Sequence, residues 1–186
     1  DGGFRTGDMG RIEDGFLFIT GRIKEQYKLE NGKYIVPTPH EEQLKLSPYI
    51  LNAMVYGDNK PYNVALVVAN VETVQAWGAE NGVSEKDPAK LLADPKVRAL
   101  FKGELDKYGE KFKGFEEIRD FALIADDFTA ENGMLTPSLK VKRREVFIMC
   151  GGVIEEIYTK KRDKGEAKGD GAKAKVIQAN RDAWAG

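Results

Sequence analysis

The chain has 186 residues, enough for one domain with appendages, and its 41% hydrophobic and 32% charged content fits a globular protein with a real core. With 29 basic against 30 acidic side chains, its net charge of −1 gives no global argument for binding nucleic acid or an anionic membrane. Cys150 is the single cysteine, which excludes an intrachain disulfide and fits a reducing compartment, and no apolar run approaches the ~20 residues a membrane-spanning helix needs.

The opening Asp1-Gly2-Gly3-Phe4-Arg5 reads like mid-protein sequence, so the natural N-terminus is expected upstream. Met9–Ile12 and Phe16–Thr20 are strand-like, and Asp14-Gly15 between them signals a hairpin. Gln26–Leu29 and Lys33–Val36 predict a second strand pair around the turn Glu30-Asn31-Gly32, with a short helix from about Glu41 to Lys45 after Pro37 and Pro39. Leu51–Tyr56 and Asn63–Ala69 are β-rich, and Asn70 is a plausible N-cap for a helix over Val71–Glu80. Pro88 and Pro95 suit the first turns of helices running to Ala93 and to about Phe112, the second with Val97, Leu100, Phe101, Leu105 and Tyr108 at helical spacing. Ile118–Ala125 predicts another strand. A turn-rich loop from Asp126 to Lys140 follows, then a helix from about Lys142 to Tyr158. Gly151-Gly152 falls inside that helix and is expected to weaken or break it, since each glycine costs about 1 kcal/mol relative to alanine. Residues 160–186 are rich in Gly, Ala and Lys and read as a solvated tail, with a fluctuating helix near Val176–Trp184. Strands and helices without strict βαβ alternation predict an α+β fold: a small mixed β-sheet flanked by helices, preceded by a β-hairpin.

Several residues could carry chemistry. Lys140 closes the loop from Thr129 and is followed by Lys142, Arg143 and Arg144. A lysine on such a loop can meet a phosphate or carboxylate oxygen; a solvated basic helix face explains the same residues. Asp8 could accept ribose hydroxyls or hold a cation, or simply bond its own turn. Gly32 is expected at positive φ, which suits either close approach of a ligand or an ordinary hairpin. His40, the only histidine, is expected at the surface or at a helix start. No catalytic triad and no metal-ligand cluster is supported, so no metal site is assigned.

Three motifs stand in an order that resembles the adenylate-forming superfamily of acyl-CoA synthetases, luciferases and peptide-synthetase adenylation domains. They are Phe4-Arg5-Thr6-Gly7-Asp8; Gly21-Arg22-Ile23-Lys24-Glu25 running through Lys28 and Gly32 to Pro37 and Glu41; and Leu135-Thr136-Pro137-Ser138-Leu139-Lys140-Val141-Lys142-Arg143-Arg144. Each is short; together, in order, they are specific, and the resemblance covers roughly residues 1–158. Lys28 through Pro37 and the Leu-Thr-Pro-Ser-Leu-Lys form of the last motif are similar to the long-chain fatty acyl-CoA synthetase branch.

The resemblance implies a C-terminal fragment of an ATP-dependent ligase. A fatty acid and ATP with Mg2+ would give an acyl-adenylate, and CoA would then displace AMP. It implies ribose binding by Asp8, ribose or phosphate contact by Arg22, and a hinge at Lys24. Lys28 and Gly32 would belong to a loop lining the CoA channel, and Lys140 would bridge carboxylate and α-phosphate oxygens. Residues 1–21 would end the large N-terminal domain, 22–159 would form a mobile C-terminal domain, and 160–186 a charged tail. Leu139 departs from the glycine usual before the lysine. Fatty acid, ATP and CoA would be met through the missing domain, no nucleic acid partner is implied, and the fragment alone is expected to be inactive. A cytoplasmic location is expected, with peripheral membrane attachment left open. Two other readings remain at this point: another adenylate-forming ligase, such as an aryl-CoA ligase, or a detached module that binds without catalysis.

Overall fold

The computed structural model describes residues 6–163. The predicted helix near Val176–Trp184 and most of the predicted tail lie outside the described residues.

Strands β1 (Asp8–Glu13) and β2 (Phe16–Arg22) pair antiparallel. Asp14 at φ 51° and Gly15 at φ 81° form the tight turn between them, the geometry that matches the strands' own twist. The Ile23 N–H donates to the Gly7 carbonyl at 2.9 Å, and a short 3-10 turn, Ile23–Glu25, leads away from the hairpin. A second, smaller hairpin joins β3 (Tyr27–Lys28) to β4 (Tyr34–Ile35). Its strands are two residues each, shorter than predicted, because only Leu29 and Ile35 of this segment are buried and the intervening residues face solvent.

Helix α1 (Pro37–Leu44) starts four residues before the predicted Glu41. The prolines do not precede the helix; they form its first turn, where an amide hydrogen has no partner to lose. The central sheet has the order β5-β6-β7, with β5 (Ile50–Tyr56) antiparallel and β7 (Ile118–Ile124) parallel to the middle strand β6 (Asn63–Ala69). Every residue of β6 is buried, so its near-continuous apolar run serves both faces of the sheet.

Ala65, Val67 and Ala69 pack into one core with Val74 of α2 (Val71–Glu80), Leu91 and Leu92 of α3 (Pro88–Ala93), and Val97 and Phe101 of α4 (Pro95–Tyr108). The alternate residues Val64, Leu66 and Val68 pack into a second core with Val146, Val153, Ile154 and Ile157 of α5 (Arg143–Asp163). Asn70 caps α2 as expected, its side chain accepting the Thr73 N–H at 3.3 Å, and Asp87 and Asp94 cap α3 and α4. α4 ends at Gly109, short of the predicted Phe112, which leaves the helix to stack on His40.

α5 runs unbroken through Gly151-Gly152 to Asp163, contrary to the expected break. The glycine cost is offset because Val146, Cys150, Val153, Ile154 and Ile157 are buried on both sides of the pair, each apolar side chain contributing up to about 1.5–3 kcal/mol. Among the described residues no helix is long and apolar enough to cross a membrane. The α+β fold with a small mixed sheet and flanking helices is the one expected.

Candidate functional site

Lys140 sits on a closed loop that leads into α5. Leu135 and Val141 form an isolated antiparallel bridge, and the Lys142 N–H donates to the Met134 carbonyl at 2.8 Å. Across the tip, the Thr136 N–H donates to the Lys140 carbonyl at 2.8 Å and the Leu139 N–H to the Thr136 carbonyl at 2.9 Å. The Thr136 hydroxyl accepts the Lys140 N–H at 3.1 Å. This is a three-residue hairpin loop with a left-handed residue at its end, and Leu139, at φ 59°, holds that position. Met134 and Leu135 anchor the loop's first foot in the core, whereas Leu139 and Lys140 are exposed. Among the described residues the Lys140 ammonium has no hydrogen bond or ion pair, so a charged donor is held at the end of a braced backbone.

Three residues on, Arg143 turns inward. Its guanidinium meets the Glu41 carboxylate at 2.5 Å and donates to the Val55 carbonyl at 3.1 Å. The other Glu41 oxygen accepts the Val55 N–H at 2.8 Å. Glu41 is buried, which pushes its carboxyl upward, while the Arg143 charge and the Val55 N–H pull the other way.

Gly32 lies at the tip of the β3–β4 hairpin at φ 84°, with its N–H donating to the Leu29 carbonyl at 2.9 Å. The Asn31 side chain accepts the Lys33 N–H at 3.0 Å. A Cβ added to Gly32 would meet nothing within 4 Å, so the turn's φ and not crowding calls for glycine in this arrangement. Lys28 is exposed, and its carbonyl accepts the Asn59 N–H at 2.9 Å. The hairpin is tied to the sheet by the Tyr27 hydroxyl, which donates to Asn63 Oδ1 at 2.8 Å; Asn63 in turn donates to the Phe115 carbonyl at 2.9 Å. Burial pushes the Tyr27 phenol far up, keeping it a neutral donor.

Lys24 is exposed within the 3-10 turn. Its neighbour Glu25 accepts the Thr38 hydroxyl at 2.9 Å, connecting that turn to α1. Asp8 begins β1 directly opposite Arg22 at the end of β2, and its N–H donates to the Thr6 hydroxyl at 3.2 Å. The Arg22 side chain lies outside the described residues. Among the described residues no hydrogen bond or ion pair joins the Gly32 loop to the Lys140 loop: the two occupy separate hairpins on one small domain.

His40 stands in the first turn of α1, the helix start expected, and not at the surface. It is buried in α1, its ring stacks on Phe112 at 3.6 Å, and its nitrogens face the carbonyls of Val36 at 3.3 Å and Glu116 at 3.1 Å. Burial lowers its pKa. Cys150 is buried and its thiol is pushed up, which disfavours the reactive thiolate. Sequence reasoning missed the Glu41–Arg143 pair. A signal was present: Pro37, His40, Glu41 and Leu44 recur at helical spacing, and that face of α1 is the buried one.

Residues 24–162 match the family model described as the AMP-binding enzyme C-terminal domain. The long-chain-fatty-acid–CoA ligase FadD15 of Mycobacterium tuberculosis is 39% identical over 165 residues, which is 86% of this chain and 27% of that protein. The peroxisomal long chain acyl-CoA synthetase 7 of Arabidopsis thaliana is 32% identical over 162 residues, covering 85% of this chain and 23% of that one. The chain thus spans about a quarter of the length of the curated relatives it matches. Among solved structures, the adenylation domain of the carboxylic acid reductase from Segniliparus rugosus, in complex with AMP and a co-purified carboxylic acid, superposes with a TM-score of 0.68 at 26% identity, over 83% of this chain and 23% of that one. The chain belongs to the AMP-binding enzyme C-terminal domain family, the small α+β domain of adenylate-forming enzymes.

Proposed function

We propose that this chain is the C-terminal part of an ATP-dependent long-chain fatty acid:CoA ligase. In the first half-reaction a fatty-acid carboxylate oxygen attacks the α-phosphorus of ATP, and pyrophosphate leaves. In the second, the CoA sulfur attacks the acyl carbonyl and AMP leaves, giving the thioester. The long-chain acid is read from the sequence relatives, which are long-chain-fatty-acid–CoA ligases.

The observation that carries this reading is Lys140: an exposed ammonium without a partner among the described residues, on a braced loop, in a chain of this family. Two anions must approach in the first step, and a fixed positive charge aimed at them offsets their repulsion where it develops. In this reading Asp8 and Arg22 hold the ribose and phosphate side of the nucleotide. The Lys28–Gly32 loop enters for the second step and lines the path of the CoA arm. Lys24 is the pivot between the two arrangements, because a few backbone dihedrals at an element's end can absorb a domain rotation.

Domain boundaries follow the same reading. Residues 1–21 end a large upstream domain, 22–159 form the small mobile one, and 160–186 are an appended tail, except that α5 carries its helix past the expected boundary to Asp163. The β1–β2 hairpin exposes Ile12 to 77%, Phe16 to 69% and Leu17 to 67%, apolar area that a neighbouring domain would cover. Among the described residues no group of three or more His, Cys, Asp or Glu side chains could hold a metal ion. In this reading Mg2+ arrives with the ATP phosphates.

The test uses the full-length protein and measures fatty-acid-dependent ATP–pyrophosphate exchange. Lys140→Ala should lower the adenylation rate by roughly 10²–10³-fold, the usual effect of removing one such charge-stabilising donor. Adenylation at the wild-type rate would contradict the proposal.

A further inference from the structure

The loop that carries Lys140 has two feet, and they are held differently. Its first foot is anchored by burial of Met134 and Leu135. Its second foot is Val141, Lys142 and Arg143, at the start of α5. Among the described residues the side chains of Lys140, Lys142 and Arg144 make no hydrogen bond or ion pair. Of the four basic side chains Arg143 alone engages the protein, and it does so at two atoms, Glu41 Oε2 at 2.5 Å and the Val55 carbonyl at 3.1 Å, while the other Glu41 oxygen accepts the Val55 N–H at 2.8 Å.

Val55 lies on β5, the margin of the central sheet. Its backbone N–H and C=O, turned away from β6, are the groups a further strand would take, and the Arg143–Glu41 pair occupies both. Glu41 stands on α1, whose Thr38 hydroxyl bonds Glu25, the residue after Lys24. One turn apart on α1, Thr38 therefore ties the helix to the turn at Lys24, and Glu41 ties it to the sheet margin and to a point three residues from Lys140.

We propose that Arg143 and Glu41 form a positioning pair for Lys140, fixing the second foot of its loop against α1 and the β5 edge. The proposal rests on the reading of Lys140 as the group used in adenylation. Energetics favours a positioning role over a purely stabilising one, since a buried ion pair often adds little net stability compared with well-packed apolar side chains. A planar guanidinium bridging a carboxylate and a carbonyl fixes direction as well as distance. Charge placement in a transition state is sensitive to shifts of about 1 Å, which can cost ~10²-fold in rate.

The test is a double-mutant cycle in the full-length protein, with adenylation and thioester formation from supplied acyl-adenylate measured separately. Arg143→Lys keeps the charge but cannot bridge both acceptors in one plane, and a melting curve establishes that the variant is folded. It should lower the kcat of adenylation by roughly 10–10²-fold with little change in KM, and leave the thioester step near wild type. In a Lys140→Ala background the same substitution should cost nothing further in adenylation, because the group it positions is gone. Glu41→Gln should give the same half-reaction selectivity in weaker form. Equal loss in both half-reactions, or a full additional loss in the Lys140→Ala background, would overturn the positioning role. If Lys140→Ala is damaging and Arg143→Lys is not, the positioning pair fails while the reading of Lys140 stands. If Lys140→Ala leaves adenylation intact, both fall.

Discussion

The imidazole of His40 stacks on the Phe112 ring at a centroid distance of 3.6 Å, joining α1 to the segment that follows α4. Both ring nitrogens face carbonyls, those of Val36 and Glu116. A neutral ring carries one N–H and can donate to only one of them. Burial nevertheless lowers the pKa below the ordinary 6.5, with the two carbonyls pulling it back up.

The sign of the resulting pH effect follows from linkage. The folded domain refuses a proton that the unfolded chain accepts below about pH 6.5. The unfolded state then binds more protons, so stability falls as pH drops from that value toward the lower folded pKa and levels off beneath it. Urea midpoints of wild type and His40→Gln across this window isolate the contribution. The wild type should lose more stability than the variant as pH falls; parallel curves would show that His40 does not titrate differently in the two states.

Leu139 gives a prediction of opposite sense. It holds φ 59° at the end of the Thr136–Lys140 loop, and it is 70% exposed, so little burial compensates. A left-handed conformation costs a non-glycine residue about 1–2 kcal/mol, while glycine adds about 0.4–1 kcal/mol of unfolded-chain entropy. Leu139→Gly should therefore raise unfolding free energy, by up to roughly 1 kcal/mol. Chemical denaturation checks it, and a clear loss of stability would mean that the Leu139 side chain contributes contacts that its exposure conceals.

The fold was legible wherever local chemistry and burial agreed. Asp14-Gly15 needs positive φ twice and has it. Asn70, Pro88 and Pro95 mark helix starts because capping and proline's fixed φ act within one turn. Some departures are local, as where Pro37 and Pro39 form the first turn of α1, and others are places where long-range packing decides. Gly151-Gly152 is locally unfavourable, yet α5 persists because its apolar face is seated on the sheet. Phe112 continues the apolar spacing of α4, but Gly109 ends the helix and His40 takes the ring.

The candidate site divides in the same way. Lys140, Gly32 and Asp8 stand on turns or at element ends, where glycine, proline and short polar residues leave a readable pattern, whereas Lys24 was named only through the family resemblance. Glu41 and Arg143 are 102 residues apart in sequence, and only the folded sheet edge brings them together. A buried ion pair leaves no local periodicity beyond the helical spacing of His40, Glu41 and Leu44, so its partner could not be named from the sequence.

Under the proposed function one small domain serves two half-reactions with different residues, Lys140 for the first and the Gly32 loop for the second. Measuring both half-reactions of the full-length protein for Lys140→Ala and Gly32→Val tests it most directly. A β-branched side chain disfavours the φ of 84° that this turn requires, and it adds bulk to a tip that is open in the structure. The expected result is a crossed pattern: Lys140→Ala loses adenylation and keeps thioester formation from supplied acyl-adenylate, while Gly32→Val keeps adenylation and loses thioester formation. Two variants that damage both half-reactions alike would contradict it.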